Sequence, residues 1–576
     1  MSQASARRSL NKPLVPGRKT PGRSKAWDRL GFGALALLAV AVLSVIVVAL
    51  GGLTSSAGDA APHVQIIGAP EALPGSTPVP AVTDAFTAPA IAWPIADLDP
   101  GLAGRGPRPT LAELSGYFGS TTVFLNRDAA AGDWRLAALD EGQIWGYPRQ
   151  ASVEPGQTVT LCLGGSTDRA QIRVFRMGLD DASLVASSPF LALRPAPPPS
   201  GSGVRAAWSD PVSGLYEAPC PTSYALLVGA DWRSGFYLAK LTAANGAGSY
   251  APFVVRPAAP MALLVIVPLL TDQAYNEAGG ASLYRRAHHN LGRATAVSLN
   301  RPLQAGGGAG TFFISAFPLL VWLEDHGYSP GYATDLDLAT HPGLATGARL
   351  VLVAGHAEYW TESMRQAVLA AEARGVGVGA FGANLAYWQI RLGPDHLGAP
   401  DRTIVCFKSS SLDPLARSDP QAATVHFNQL PHPEPAAQLF GANYVGLLRP
   451  IVVGPLFATL GLVSFAADSG LRAGQELADL AGDELDGPPV DRSSAREILG
   501  ARLLLRTGLA RAPHEEEAAA SIWITPSGAH VFDAGTFTWA WGVDPRYAAA
   551  LPGFPAAAFA RLTAEILAWL GAPPGG

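Results

Sequence analysis

The sequence predicts an α/β protein: a parallel, doubly wound sheet of flavodoxin or amidotransferase type, preceded by an immunoglobulin-like β-sandwich and, at the N-terminus, a transmembrane helix. Three observations point there. Residues 31–53 are 23 uncharged residues directly behind a basic arm. Residues 147–256 break into short alternating runs separated by Gly, Pro and Asp turns, the texture of a small all-β unit. Beyond Pro260, continuous apolar runs alternate with segments of helical spacing, as expected of strands covered on both faces by helices.

The 576 residues, 48% hydrophobic and 15% charged, supply material for two or three domains. Residues 1–30 hold eight basic side chains against one acid, Asp28, and read as a cytoplasmic tail; the apolar stretch Gly31–Leu53 would span roughly 30 Å of hydrocarbon as a helix. The basic flank places the bulk of the chain on the extracytoplasmic side of a single-pass cell-membrane protein. A cleaved signal peptide is the competing reading, since small residues follow at SSAGDAA, but a signal core is usually shorter, about 7–15 residues. Residues 54–110 carry ten prolines and read as an extended stalk. The β-sandwich is expected over 111–258 and the α/β domain over 259–576.

Outside the basic arm, 33 basic residues face 45 acidic ones, with no basic stripe carrying interleaved aromatics. That excludes a nucleic-acid footprint. Three cysteines are too few for a disulfide scaffold or a zinc ribbon; Cys162 and Cys220 fall in one expected domain and are candidates to pair. Association into a homo-oligomer stays open.

In the α/β part, MALLVIVPLL, ARLVLVAG and GVGVGAFG read as buried strands, FPLLVWLEDHG as a helix, and TESMRQAVLAAEARG as a helix opened by Thr361 and closed by Gly375. PIVVGPLFATLGLVSF reads as buried strand and loop, SGAHVFDAGTFTW as a further strand and AAAFARLTAEILAWL as a closing amphipathic helix. Ligands of open parallel sheets bind beyond the carboxyl ends of the strands, where loops converge. The first strand there delivers Tyr275, Asn276 and Tyr284, the second His356, Glu358, Tyr359 and Trp360, the third Asn384, Tyr387 and Trp388. A lone Tyr at a strand end is ordinarily packing, and a lone Glu before a helix ordinarily a solvated N-terminal carboxylate. Their coincidence on one rim points to a site.

Several chemistries are excluded by missing residues. HAE at 356–358 has no PCxxC downstream, so the zinc deaminase signature is incomplete. No HExxH and no GxxxxGK[ST] occurs, and no Gly-x-Ser-x-Gly or Gly-x-Cys-x-Gly elbow follows a strand.

At these residues the chain resembles the large (beta) subunit of N,N-dimethylformamidase and its relatives. The blocks that carry the resemblance run from Tyr147 to Trp541: YPRQASVEPGQTVTL, VFRMG, DWRSGFYLAKL, YAPFVVR, AYNEAGGASLY, VSLNRP, GYATDLDL, GHAEYW, FGANLAYWQIR, IVCFKSSSLDP, LAGDELDG and DAGTFTWAWG. The resemblance implies hydrolysis of C–N amide-type bonds in a small substrate by a mononuclear ferric iron, Fe(III), held by Tyr237, Tyr275 and Glu358. Hard phenolate and carboxylate oxygens suit such an ion. It further implies His356 as a base or water-orienting group, Asn384 as a substrate- or water-positioning carboxamide, and Glu484 as a proton-transfer acid. For Tyr237 to be a ligand, the sandwich has to dock over the carboxyl rim of the sheet. Ala357 stands where the family commonly has aspartate, and neither the lectin-like domain nor the small partner subunit of the characterised enzyme is evident. The rival reading is a non-catalytic envelope-surface module that binds polysaccharide or a partner protein.

Overall fold

A computed structural model describes residues 134–140, 142–199, 207–285, 292–447, 453–482, 484–487, 502–507, 518–545, 548 and 553–572, all within one compact unit spanning residues 87–576. The basic arm, the 31–53 stretch and the Pro-rich segment lie outside the described residues. Among the described residues no helix is long and apolar enough to cross a membrane. The longest, with 15 residues, extends roughly 22 Å against the ~30 Å of a hydrocarbon core. The expectation of a single-pass membrane protein is corrected to that extent: no described helix supports it.

The N-terminal part is two packed sheets. One contains β1 (Arg169–Gly178), β2 (Asp181–Ala192), β3 (Gly235–Ala243) and β4 (Ala247–Val255), paired antiparallel in the order β4-β3-β1-β2. The other joins Trp145–Pro148, Thr158–Gly164 and Thr222–Leu227. Their facing side chains, among them Val159, Leu161, Val174, Tyr237, Leu241 and Phe253, form one buried cluster. Cys162, buried on its strand, is disulfide-bonded to Cys220, tying the following strap to the sheet. Cys406 is free and buried.

The second part is built on nine strands: β5 (Leu263–Val267), β6 (Gly331–Thr334), β7 (Leu350–Ala354), β8 (Gly377–Phe381), β9 (Val453–Ala458), β10 (Glu476–Gly482), β11 (Arg502–Thr507), β12 (Ala519–Ile524) and β13 (His530–Asp533). Their order in the sheet is β6-β5-β7-β8-β13-β12-β11-β9-β10. β6, β5, β7, β8 and β13 run parallel, whereas β13 through β10 pair antiparallel. This corrects the expected fold class. The chain forms a mixed sheet with several smaller sheets around it, not a parallel, flavodoxin-like one, and strand predominates. The physical reason is that buried strands of either orientation read as the same apolar runs; only the connections tell them apart, and β12 returns to β13 through a short turn at 525–529, where a parallel pair would need a crossover.

Along β5 and β7 the side chains alternate between two cores. Leu263, Val265, Leu350 and Leu352 face the cluster containing α2 (Phe317–Asp325) and α4 (Ala556–Leu570). Leu264, Ile266, Val351 and Val353 face the one containing α1 (Leu270–Tyr275) and α3 (Glu362–Glu372). The expected N-cap of α3 is present: Thr361 Oγ1 accepts the Met364 N–H at 3.2 Å.

The two parts meet along β6 and α2. Arg176 of β1 donates from both terminal nitrogens to the two oxygens of Glu324 at 2.7 Å each, and Tyr332 donates to Oε1 at 2.7 Å. The Leu179 N–H reaches Oε2 at 3.0 Å, and Ser234 Oγ accepts the Tyr332 N–H at 2.8 Å. Phe236 stacks on Phe312 with centroids 3.7 Å apart.

Candidate active site

The rim is assembled by the loops after β5, β7 and β8. β7 and β8 end so close together that a Cβ on Gly382 would stand 2.0 Å from the Gly355 carbonyl, so the backbone approach itself demands glycine. α1 starts directly after β5, its first N–H groups at Leu269 and Leu270 received by the buried Asp335 carboxylate at 3.0 Å. Burial pushes that carboxyl up to about 7 against the pull of those hydrogen bonds. Thr271 in the first turn accepts the Glu358 N–H at 2.9 Å and so fixes the loop after β7 against α1. The turn from Tyr275 to Tyr284 is pinned from below by Arg301, whose guanidinium donates to the carbonyls of Gln273, Ala278 and Ala281.

This scaffold places two phenols on one buried carboxylate. Tyr275 donates to Glu358 Oε2 at 2.8 Å and Tyr284 to Oε1 at 2.5 Å, and the two hydroxyls lie 3.1 Å apart. Glu358 is 2% exposed, while Tyr275 and Tyr284 are 40% and 42% exposed. The phenols thus show a ring flank to solvent and turn their hydroxyls inward. His356 Nε2 stands 3.7 Å from Glu358 Oε2 and 2.7 Å from Oε2 of Glu484. Glu484 arrives from a short strand, Glu484–Gly487, anchored by the Phe537 N–H on its carbonyl at 3.1 Å.

The charges are unbalanced. Burial, and then the neighbouring charge of Glu484, raise the Glu358 pKa against the pull of His356 and Lys408. Burial of the hydroxyl and then Glu358 raise Tyr275 and Tyr284 far above an ordinary phenol. The compensating cation is Lys408, in a left-handed backbone conformation (φ 53°), with Nζ 3.4 Å from the Tyr284 ring centre, 4.6 Å from that of Trp388 and 5.2 Å from that of Tyr359. Burial lowers its pKa to about 8 against the pull of Glu358.

Asn384 closes the rim from β8. It holds a left-handed conformation (φ 54°) because its N–H is gripped by both oxygens of Asp486 at 2.9 Å. Its side-chain Oδ1 is buried without a hydrogen-bond partner among the described residues. Beyond it lie the half-buried rings of Tyr387, His426 and Tyr444, with Tyr387 4.0 Å from His426 and 5.3 Å from Tyr444.

Of the residues singled out in the sequence, Tyr275, Glu358, His356 and Glu484 are brought together, with Asn384 beside them. Tyr237 is not. It sits fully buried in the sandwich, between Trp232 at 5.1 Å and Phe253 at 5.5 Å, and donates to the Arg233 carbonyl at 2.6 Å. The N-terminal part docks on the β6 edge and α2 and, through Pro199 and Tyr216, on the turn at Gly279, but none of these contacts brings Tyr237 to the rim. The second phenol on Glu358 is Tyr284, a rim residue to which the sequence assigned no role. Lys408 escaped notice altogether; its signal was a lone cation behind the buried Cys406 in the FKSSS stretch. Ala357 is fully buried, and its carbonyl receives the Ala386 N–H at 2.9 Å. Among the described residues no group of three or more His, Cys, Asp and Glu side chains forms a metal site. The oxygen cluster here consists instead of two phenols on a carboxylate.

The family model described as N,N-dimethylformamidase beta subunit-like, C-terminal, matches residues 171–549, about two thirds of the chain. The chain belongs to this family. The match to this dimethylformamidase-like family encloses every rim residue described above. No curated protein matches the chain. Among solved structures, a Paenibacillus sp. cycloisomaltooligosaccharide glucanotransferase complexed with cycloisomaltoheptaose is 13% identical over 22% of this chain and 16% of its own length, with a TM-score of 0.14. The superoxide reductase (neelaredoxin) from Ignicoccus hospitalis is 11% identical over 20% of this chain and 82% of its own, with a TM-score of 0.12. Likenesses of that size carry no argument about fold or activity.

Proposed function

We propose that the rim is the active site of an amide hydrolase that splits a small C–N amide-type substrate into a carboxylic acid and an amine. The observation that carries this reading is the buried pair of carboxylates, Glu358 and Glu484, flanking His356 beside two phenols whose hydroxyls point inward and whose ring flanks meet solvent. A structural ion pair would be neutralised. This cluster instead sets two buried carboxylates against an imidazole and an amine whose pKa is lowered to about 8, beside an opening to water.

The donor set fits a hard cation: Tyr275 Oη lies 2.8 Å from Oε2 and Tyr284 Oη 2.5 Å from Oε1 of Glu358, the two phenol oxygens are 3.1 Å apart, and the phenol pKa values raised by burial and by Glu358 would fall beside positive charge. In this proposal Tyr275, Tyr284 and Glu358 would hold the ferric ion, with Tyr284 taking the place first given to Tyr237. Such an ion supplies Lewis acidity toward a carbonyl oxygen and toward water. The chain's own groups do the rest. Glu484, in contact with His356, accepts the proton of the attacking water and returns one to the departing amine nitrogen. The unpartnered Asn384 Oδ1 accepts a hydrogen bond from that water and holds its lone pair toward the carbonyl carbon. Lys408 keeps Tyr284 in place through its ring and offsets the charge on Glu358.

The test is hydrolysis of a panel of formamides and acetamides by the full chain, followed by amine release. Glu484→Gln is expected to lose about 10²–10⁴-fold of the rate while remaining folded. An active wild type with an equally active Glu484→Gln would remove Glu484 from the mechanism.

A further inference from the structure

A second polar feature lies away from the rim, between the sandwich and the mixed-sheet part. A narrow cavity of about 20 Å³, with room for one small ion or about one water, is lined by Tyr147, Pro252, Gln273, Leu303, Arg301 and Arg402 among others, two guanidinium groups and no carboxylate. Both arginines are buried, at 1% and 8% exposure.

Neither forms an ion pair among the described residues, although Asp395 and Glu217 lie near enough to Arg402 to act on its charge. Arg301 makes four hydrogen bonds, all to neutral acceptors: the Gln273 side-chain oxygen and the carbonyls of Gln273, Ala278 and Ala281. Arg402 places Nε and Nη2 on the single Oδ1 of Asn300, at 3.0 and 2.8 Å, and its Nη1 has no partner among the described residues. The nearest carboxylates are committed elsewhere. Asp395 takes Arg149 at 3.4 Å and Asn300 at 2.9 Å, and Glu217 takes His396 at 2.6 Å. Arg149, paired with Asp395, still lies close enough to disfavour the charge on Arg402. A buried guanidinium without a counter-charge is costly, and two in one cavity more so.

We propose that this cavity is a binding site for a small monovalent anion of chloride or formate size, held by Arg402 Nη1 and balancing Arg301. The site bears on the rim through Arg301, because the same guanidinium holds the turn that carries Tyr275 and Tyr284. Occupancy therefore stabilises the fold and the placement of both phenols, whatever reaction the rim performs.

Thermal unfolding of the full chain in sodium chloride, sodium formate and sodium gluconate at equal ionic strength tests this. Chloride and formate are expected to raise Tm by about 2–4 °C over gluconate, which is too bulky to enter. Arg402→Met is expected to abolish the difference and Arg402→Lys to retain it. Equal Tm values in all three salts, or the same difference in Arg402→Met, would overturn the proposal. Crystals of the wild type soaked in bromide provide a readout independent of any variant: an anomalous peak beside Arg402 supports the site, and its absence there refutes it.

Discussion

Two buried glutamates, each receiving a tyrosine hydroxyl, have opposite characters. Glu324, at the seam between the sandwich and the mixed sheet, takes the Tyr332 hydroxyl, both arms of Arg176 and the Leu179 N–H, so its charge is neutralised and its lone pairs are filled. Glu358, on the rim, takes two hydroxyls, but a second carboxylate stands near it and its cations, His356 and Lys408, are a titratable imidazole and an amine lowered to about 8. The difference teaches that burial does not distinguish a structural carboxylate from a chemical one. Charge completeness does.

Breaking the seam should have the largest effect on stability. Arg176→Met leaves Glu324 buried without its counter-ion and is expected to cost about 3–5 kcal/mol in denaturant unfolding, with activity per folded molecule unchanged. On the rim the same kind of change should act on rate instead. His356→Gln is expected to lower amide hydrolysis about 10²–10³-fold while shifting stability by less than about 1 kcal/mol, measured by initial rates and urea midpoints. If His356→Gln unfolded the protein as Arg176→Met does, the contrast between the two glutamates would collapse.

A third carboxylate sharpens the comparison through pH. Glu372, on α3, is buried with Oε1 lacking a partner, and burial pushes its pKa up to about 8 against the pull of Arg365. Because the folded pKa lies above the unfolded value, its favourable contribution is full below about pH 4.5 and is lost as pH rises through 8. Glu372→Gln is therefore expected to be about 1–3 kcal/mol more stable than wild type at pH 9, the gap closing toward pH 4.5. A gap that does not change with pH would mean that Glu372 is already paired.

The strands β5, β7, β8 and β13 and the helices α2, α3 and α4 were legible in the sequence because apolar runs and helical spacing are local signals. Sheet orientation was not, since Leu456, Leu477, Leu505 and Ile522 would be buried alike whether their strands ran parallel or antiparallel. On the rim, Tyr275, His356, Glu358 and Asn384 could be found by the strand-end rule, whereas Glu484 was reached only through the family resemblance. Tyr237 was misplaced because a motif position carries no information on which way a strand faces; in β3 its ring points into the sandwich core. Tyr284 and Lys408 were hidden because their approach depends on the turn pinned by Arg301 and on the left-handed conformation at Lys408.

The central claim is that Tyr275, Tyr284 and Glu358 form the oxygen cluster of an iron-dependent site. Visible absorption of the iron-loaded full chain, with metal content measured in parallel, tests it most directly. A phenolate-to-ferric band is expected in the wild type and in Tyr237→Phe, and is expected to shift and weaken in Tyr284→Phe. A wild type that holds no iron, or a band lost in Tyr237→Phe and intact in Tyr284→Phe, would contradict the account.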